Sequence, residues 1–303
     1  MYETVNLTFR YFSFVQDDTS LADELHTTVK VLCWVLTHPD NHYSKAIHAA
    51  RTWGKRCNKL LLMSDSNDPA VGAIGLNTTP GRGHLASKSR KAMDYLYQHH
   101  LDDADWFLKA DDDTYVIMEN LRFLLLNQDP EEAIFFGKHF LHPKNESSYF
   151  AGGAGYVVSR AALDLFGKRR PDLCVIDRHD GSNEDVRISV CLLSLGVQLG
   201  DSTDNVGRYR FHFFTPEMHL LGLFPRWYEW RSSLFPTWGL GEMSTSAISF
   251  HKVEPQAMYM LEYFIYHLRP YGIVFGTEHK NKTFHEEKKS LQLLRKVMEQ
   301  SDQ

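Results

Sequence analysis

The chain has 303 residues, a net charge of −5 and 43% hydrophobic residues, which is typical of a globular protein with a sizeable core. Glycine and proline are too few for a collagen-like or low-complexity chain. The mild acidity argues against a nucleic-acid partner, because proteins that bind the phosphate backbone normally carry a basic excess.

The first half of the chain alternates between strand-like and helix-like segments. Apolar runs of the β type predict strands at 29–37, 59–63, 105–110 and 133–137. Helical spacing of apolar residues predicts helices at 42–57, 85–100 and 116–126, and the polar segment 64–84 is predicted to be a loop. This alternation predicts an α/β fold with a mostly parallel sheet flanked by helices, which binds ligands beyond the carboxyl ends of its strands.

The second half is less regular. A glycine-rich turn at 152–155 precedes a predicted strand at 156–159 and a helix that begins at Arg160. The segment 182–185 predicts another helix start, with a polar cap and acidic residues in the first turn. Residues 222–240 are predicted to form an aromatic-rich loop, and the residues from 278 onward a charged, frayed terminal helix.

The chain shows neither an apolar run of membrane-spanning length nor a signal peptide. Four N-x-Ser/Thr sequons favour an oxidising, lumenal compartment, at Asn6, Asn77, Asn145 and Asn281. The even number of cysteines points the same way, although composition alone leaves free buried thiols equally open for Cys33, Cys57, Cys174 and Cys191.

Asp111, Asp112 and Asp113 form the strongest local signal, since they follow directly after an apolar strand. Three adjacent carboxylates repel one another, and a divalent cation relieves that repulsion. Alternate side chains of an extended chain point the same way, so we expect Asp111 and Asp113 to share one ion. The alternative is a solvated acidic turn that has no role in metal binding.

A metal ion in this position suits a diphosphate leaving group, and basic residues are expected to assist it. The candidates are Arg51, Lys88 and the flexible, cationic Gly81–Arg82–Gly83. Glu184 and Asp185 are candidates for a general base, or for acids that merely complement the helix dipole. His251 is either structural or a further metal ligand through a ring nitrogen.

These motifs resemble the core 1 β1,3-galactosyltransferases, within the wider β1,3-glycosyltransferase family that includes the fringe enzymes. The resemblance covers roughly residues 29–275. It rests on CWVLT at 33–37, RTWGKRCNKLLLMS at 51–64, DDADWFLKADDDTYV at 102–116, GGAGYVVS at 152–159, NEDVRIS at 183–189, SAISFHKV at 246–253 and YHLRPYG at 266–272.

The resemblance implies a GT-A fold in one catalytic domain at 29–277, with a nucleotide-sugar half at 29–137 and an acceptor half at 138–277. Residues 1–28 would be an N-terminal extension or stem remnant, and 278–303 a polar tail. The implied reaction is inverting transfer of galactose from UDP-galactose to the 3-hydroxyl of O-linked GalNAc on Ser or Thr of glycoproteins, with Mn²⁺ as the metal. The family also implies a Golgi location, a type II membrane anchor that is not visible here, and a homodimer.

Family roles map onto individual residues. Asp111, Asp113 and His251 would hold the metal. Leu36, Gly81, Arg82 and Lys88 would contact UDP, with Arg51 and Asp111 as further donor-site candidates. Asp185, in the pair with Glu184, would be the base, although the sequence leaves open which carboxylate acts. On the acceptor side stand Trp227 and the glycines Gly153 and Gly155, whose missing side chains would admit a sugar.

The resemblance also implies the disulfides Cys33–Cys57 and Cys174–Cys191. Two departures lie near the acceptor side: the Cys-Cys pair of many relatives is replaced within 241–244, and Lys252 stands where an aromatic residue is common. Two alternatives therefore stay open. One is a β1,3-glycosyltransferase with another donor or acceptor. The other is a non-catalytic, chaperone-like relative, against which the retained acidic motifs argue.

Overall fold

The computed structural model describes residues 18–142, 148–170, 174, 183–234, 237–241 and 243–270. Contacts divide the chain into two units, Met1–Met260 and Leu261–Gln303. The fold and site described below belong to the first unit. The predicted domain end at 277 and the predicted tail at 278–303 lie outside the described residues. Within the described residues, no helix has both the length and the apolar character needed to cross a membrane.

The strands of the described residues form three sheets. In chain order they are β1 (Val31–Leu36), β2 (Lys59–Ser64), β3 (Ala73–Gly75), β4 (Trp106–Asp111), β5 (Tyr115–Val116), β6 (Ile134–Gly137), β7 (His139–Leu141), β8 (Ser148–Phe150), β9 (Tyr156–Ser159), β10 (Gln198–Leu199), β11 (Phe211–His212) and β12 (Ser249–Phe250).

The α-helices, again in chain order, are α1 (Ser20–Thr28), α2 (Ile47–Arg51), α3 (Leu85–His100), α4 (Met118–Leu125), α5 (Arg160–Gly167), α6 (Glu184–Ser194), α7 (Pro216–Leu221), α8 (Arg226–Arg231) and α9 (Pro255–Tyr266). Helix α1 lies inside the predicted N-terminal extension, so part of that segment is ordered and buries Leu25.

The main sheet has seven strands in the order β10-β6-β9-β4-β1-β2-β3. Strand β1 runs parallel to both β2 and β4, whereas β9 runs antiparallel to β4 and β6. All six residues of β1 are buried, as expected for a central strand covered on both faces. The expectation of an α/β fold with a mostly parallel sheet is therefore confirmed.

The carboxyl ends of β1, β2 and β4 lie side by side at one edge of this sheet. Leu36 is paired with Met63 and with Asp111, so the residues that follow each strand come together there. A small second sheet then joins β12 antiparallel to β5 and parallel to β11. Because β5 follows the acidic turn and β12 immediately precedes His251, this sheet brings His251 beside the turn.

Several local predictions need correction. The predicted loop at 64–84 contains β3, which adds an edge strand through its register with β2. The predicted helix at 42–57 is a series of short π, α and 3₁₀ turns rather than one helix. The predicted loop at 222–240 contains α8, on which Tyr228 is buried and Trp230 is exposed. Asn183 precedes α6, but its side chain makes no capping hydrogen bond.

All four cysteines are paired. Cys33 is bonded to Cys57, with Cα atoms 6.0 Å apart, and Cys174 is bonded to Cys191, with Cα atoms 4.8 Å apart. This is the pairing that the family resemblance implies, and the alternative of free thiols is wrong. The Cys33–Cys57 bond joins β1 to the residues just before β2.

Candidate active site

The acidic turn continues directly from β4. The Thr114 amide donates to the Asp111 carbonyl at 3.1 Å and closes the turn. Asp112 points into the protein, where it accepts hydrogen bonds from Thr37 Oγ1 at 2.8 Å and Asn41 Nδ2 at 2.9 Å. Burial raises the pKa of Asp112. The middle carboxylate therefore anchors the turn to the end of β1, and the outer two face the opposite way.

Asp111, Asp113 and His251 come together at this edge, with one potential ligand atom from each lying within 4.8 Å of the others. His251 Nε2 is 3.3 Å from Asp113 Oδ1 and 3.8 Å from Asp111 Oδ2. Two carboxylates and an imidazole are a donor set that suits a divalent ion such as Mn²⁺. The residues present thus fit the metal that the sequence predicts.

Charge around Asp113 keeps its carboxylate ionised. Although burial opposes ionisation, hydrogen bonding to His251 and the nearby Lys45 lower the pKa of Asp113. Lys45 Nζ lies 3.2 Å from Asp113 Oδ2. Asp113 is therefore in the ionised form that a cation ligand requires.

The orientation of His251 is set from three sides. Its backbone amide donates to the His212 carbonyl, and its Nδ1 donates to the Phe213 carbonyl at 3.2 Å. The bond at Nδ1 turns the other ring nitrogen, Nε2, toward the two aspartates, where it could bind a metal ion. Gly153 packs against the ring, and a Cβ atom at this position would overlap the imidazole.

Glu184 and Asp185 are the first two residues of α6, and both lie close to Gly152. Glu184 Oε1 accepts from the Tyr156 hydroxyl at 3.0 Å, and its Oε2 lies 3.8 Å from Lys109 Nζ. Asp185 is less buried than Glu184, and its Oδ2 accepts from the Gly152 amide at 3.2 Å. Burial raises the pKa of both carboxyl groups, which strengthens each as a base. Glu184 is thus held by neighbouring side chains, and Asp185 is the more accessible of the two.

Two of the donor-side residues contribute to the carboxyl edge of the sheet, Leu36 from β1 and Lys88 from α3. Leu36 is the last residue of β1 and is buried. Lys88 Nζ donates to the Thr37 carbonyl at 2.8 Å and lies 2.9 Å from Asp65 Oδ1. Lys88 therefore joins the ends of the two strands that flank the site.

The other donor-side candidates are solvent-exposed. Gly81 has a φ of +107°, a conformation that favours glycine, and it precedes Arg82 in a 3₁₀ turn. Arg51 is the final residue of α2, and Lys45, earlier in the same helical segment, takes the position beside Asp113. The roles of Gly81, Arg82 and Arg51 in donor binding stay predictions.

On the predicted acceptor side, Trp227 belongs to an aromatic cluster that reaches the metal-ligand candidates. Its ring centroid is 5.6 Å from that of Phe213, whose centroid lies 5.1 Å from that of the His251 ring.

The open space that was expected at Gly153 and Gly155 is not present in the structure. The His251 ring fills the space at Gly153, and a Cβ at Gly155 would lie 3.0 Å from the Lys109 carbonyl.

Sequence reasoning missed Lys109, Lys45 and Phe213. Lys109 was detectable, because a lysine inside the apolar strand DWFLKA, two residues before Asp111, shares a face with that carboxylate. Lys45 and Phe213 carry no comparable local signal. They reach the site only through tertiary packing of the helical segment after β1 and of the small second sheet.

Comparison with known proteins gives a consistent result. A family model described as Fringe-like matches residues 27–212, a range that includes the acidic turn and α6 but not His251 or Trp227. The chain is 45% identical over 262 residues to a Xenopus laevis protein named glycoprotein-N-acetylgalactosamine 3-beta-galactosyltransferase 1. That match covers 84% of this chain and 71% of the Xenopus protein.

More distant similarities extend over smaller regions or are weaker. A Mus musculus protein named beta-1,3-glucosyltransferase is 28% identical over 170 residues, covering 52% of this chain and 33% of that protein. A solved structure titled galactosyltransferase LgtC in complex with donor and acceptor sugar analogs is 10% identical. It covers 79% of this chain and 98% of its own, with a TM-score of 0.42.

Proposed function

This chain belongs to the Fringe-like family, and from that premise we propose that it is a metal-dependent, inverting β1,3-galactosyltransferase. It has a mostly parallel sheet with an acidic turn at the carboxyl end of β4, as expected for such enzymes. The proposed reaction transfers galactose from UDP-galactose to the 3-hydroxyl of GalNAc O-linked to Ser or Thr of glycoproteins, which forms the core 1 O-glycan. The observation that carries the proposal is the cluster of Asp111, Asp113 and His251 at the carboxyl edge of the sheet.

Asp111, Asp113 and His251 would hold the divalent cation, which we propose to be Mn²⁺. When bound, such a cation neutralises charge that develops on the diphosphate leaving group. The protein's own contribution on this side is cationic and steric. Lys88 joins the ends of β1 and β2, Leu36 packs beneath the donor, and Arg82 offers a guanidinium suited to phosphate oxygens.

Asp185 is the proposed general base. It is the less buried carboxylate of the pair, and the pKa raised by burial makes it a better proton acceptor. It would take the proton from the acceptor 3-hydroxyl as that oxygen attacks the anomeric carbon from the face opposite UDP. A single displacement of this kind inverts the configuration and forms no covalent enzyme intermediate. Glu184, bonded to Tyr156, would position the start of α6.

Trp227 would provide an aromatic surface for the acceptor sugar, since its cluster with Phe213 reaches His251.

A second candidate function, the second reading of the site, is that of a β1,3-glycosyltransferase with a different donor or acceptor. The partial similarity to a protein named beta-1,3-glucosyltransferase and the replaced Cys-Cys pair keep this alternative in view. A non-catalytic role is disfavoured, because the metal-ligand candidates and the acidic pair are all retained.

We further propose that the protein works in the Golgi lumen on glycoprotein acceptors. Two disulfide bonds and the exposed sequon at Asn77 fit an oxidising, glycosylating compartment. The family's homodimer and type II membrane anchor stay expectations from the resemblance.

The test is transfer of radiolabelled galactose from UDP-galactose to an α-GalNAc glycopeptide, with Mn²⁺ and with chelator. UDP-N-acetylglucosamine, UDP-N-acetylgalactosamine and UDP-glucose serve as competing donors. The proposal expects a β1,3-linked product from UDP-galactose that disappears when the metal is removed. Preferential transfer from another donor would favour the second reading, and no transfer from any donor would reject both.

A further inference from the structure

Lys109 is a charged side chain buried in the middle of the main sheet. It lies on β4 between Leu108 and Ala110, and its side chain is only 2% exposed. In the register of the sheet it is paired with Trp34 on β1 and Tyr156 on β9. Burying an ammonium group is costly unless anions and hydrogen-bond acceptors compensate for the lost water. The groups that compensate the charge of Lys109 therefore indicate its role.

The ammonium group of Lys109 has partners on both sides of the site. It donates to Asp111 Oδ1 at 2.6 Å, on the metal side. It donates to the Gly152 carbonyl at 3.0 Å, and the Gly152 amide in turn donates to Asp185 Oδ2. It also lies 3.8 Å from Glu184 Oε2. One buried cation thus contacts the proposed metal ligand Asp111 and, through Gly152 and Glu184, the proposed base.

The packing around this group leaves little freedom. A Cβ atom at Gly152 would lie 2.6 Å from Glu184 Oε2 and 3.3 Å from Lys109 Nζ, so even a methyl group does not fit between them. Burial disfavours the charged lysine, but Asp111, Glu184 and Asp185 outweigh burial and raise the pKa of Lys109. The lysine stays charged and fixed among three carboxylates.

We propose that Lys109 is a positioning residue that sets the geometry between the metal-binding turn and the base on α6. This inference rests on the proposed function, because it assigns Asp111 and Asp185 their roles in transfer. Lys109 touches no substrate in this account. It holds Asp111 directly and Asp185 through the Gly152 peptide, so that the leaving-group side and the base side keep one fixed separation. Loss of this link lets Asp185 shift relative to the turn. Asp111 itself stays in the turn, because the Thr114 amide still donates to its carbonyl.

The experiment compares Lys109→Met with Lys59→Met. Lys59 also forms an ion pair, 2.7 Å from Asp103, but it is 41% exposed and lies at the start of β2. Four quantities are measured: thermal unfolding, Mn²⁺ affinity by calorimetry with the metal alone, and kcat and KM for galactose transfer to the glycopeptide. If Lys109→Met does not fold, the charge-balanced double variant Lys109→Met/Glu184→Gln takes its place, and its kcat is compared with that of Glu184→Gln alone.

For Lys109→Met we expect kcat to fall at least about 30-fold, with the Mn²⁺ affinity and the KM for UDP-galactose within about threefold of wild type. Lys59→Met should leave kcat, the Mn²⁺ affinity and the KM for UDP-galactose within about twofold of wild type. A smaller loss of kcat would overturn the inference. So would a loss of Mn²⁺ affinity in parallel with kcat, because the lysine would then act only through the metal ligands.

If neither Lys109 variant folds, the lysine is a structural counter-charge and the positioning assignment is overturned. Failure of the proposed function itself is recognised separately, because in that case the wild-type chain transfers no galactose. Each outcome that overturns the present inference is instead observed beside an active wild-type enzyme.

Discussion

The absent side chain of Gly153 makes room for the imidazole of His251. A Cβ atom at Gly153 would overlap the ring, whose Nε2 faces Asp113 at 3.3 Å. The glycine-rich turn therefore has a specific purpose on the metal side of the site. It allows a residue from the small second sheet to complete a cluster that begins at the end of β4.

Gly153→Ala should consequently displace His251 and weaken metal binding. We expect the Mn²⁺ affinity to fall about 10- to 100-fold, as for other changes that misorient a metal ligand, with galactose transfer reduced accordingly. Gly241→Ala is the matched control, because a Cβ there meets no atom within 4 Å. Calorimetry with Mn²⁺ measures the effect. Equal affinities in the two variants would show that the contact between Gly153 and His251 does not matter.

The two carboxylates that begin α6 should separate in their effects. Asp185→Asn removes the proposed base and should lower kcat about 1,000-fold with little change in Mn²⁺ affinity. Glu184→Gln keeps the side-chain shape and the Tyr156 hydroxyl as a partner, so we expect a loss of about tenfold in kcat. Steady-state kinetics on the glycopeptide compares them. A larger loss for Glu184→Gln would exchange the two roles.

Trp227 and Trp230 lie on the same short helix and make a matched pair. Trp227 packs on Phe213, whereas Trp230 is 74% exposed. Trp227→Ala should raise the KM for the glycopeptide about tenfold, equivalent to about 1.4 kcal/mol, and leave the KM for UDP-galactose unchanged. Trp230→Ala should change neither constant. The acceptor role of Trp227 is contradicted if both variants behave alike.

His212, buried against Phe250, should make stability depend on pH. Burial, together with the nearby charge of Lys138, lowers the pKa of His212 from 6.5 to about 4. The folded state therefore keeps His212 neutral between these values, while the unfolded chain takes up a proton. Stability from this residue is present above pH 6.5 and is lost as the pH falls toward 4.

Between pH 7 and pH 5, the wild-type free energy of unfolding should fall by about 2 kcal/mol more than that of His212→Phe. Urea unfolding at the two pH values measures the difference, with His38→Phe as the control because His38 is 45% exposed. Parallel losses in the wild-type chain and in His212→Phe would mean that His212 is not held neutral.

Local patterns predicted much of this molecule. Five of the seven strands of the main sheet, together with helix α3, were predicted from the sequence; they are β1, β2, β4, β6 and β9. The grouping of Asp111 with Asp113 follows from the alternation of an extended chain. What escaped prediction depends on tertiary packing. Strand β3 is a strand because β2 offers it an edge, and Phe213 and Lys45 reach the site through elements distant in sequence.

The glycines show a subtler limit. Their position beside the site was predictable, but the reason for it was not. The family resemblance implied open space for a sugar at Gly153, whereas the His251 ring occupies that space. Only the pairing of β12 with β5 reveals that residue 251 arrives there.

The central claim is that the turn of Asp111 and Asp113, together with His251, binds a divalent cation that supports a sugar nucleotide. Calorimetric titration of UDP, with Mn²⁺ and with chelator, on the wild-type chain and on Asp113→Asn tests it most directly. We expect UDP to bind the wild-type chain at least about tenfold more tightly with Mn²⁺, and this gain to vanish in Asp113→Asn. Equal UDP affinity of the folded wild-type chain with Mn²⁺ and with chelator would contradict the account.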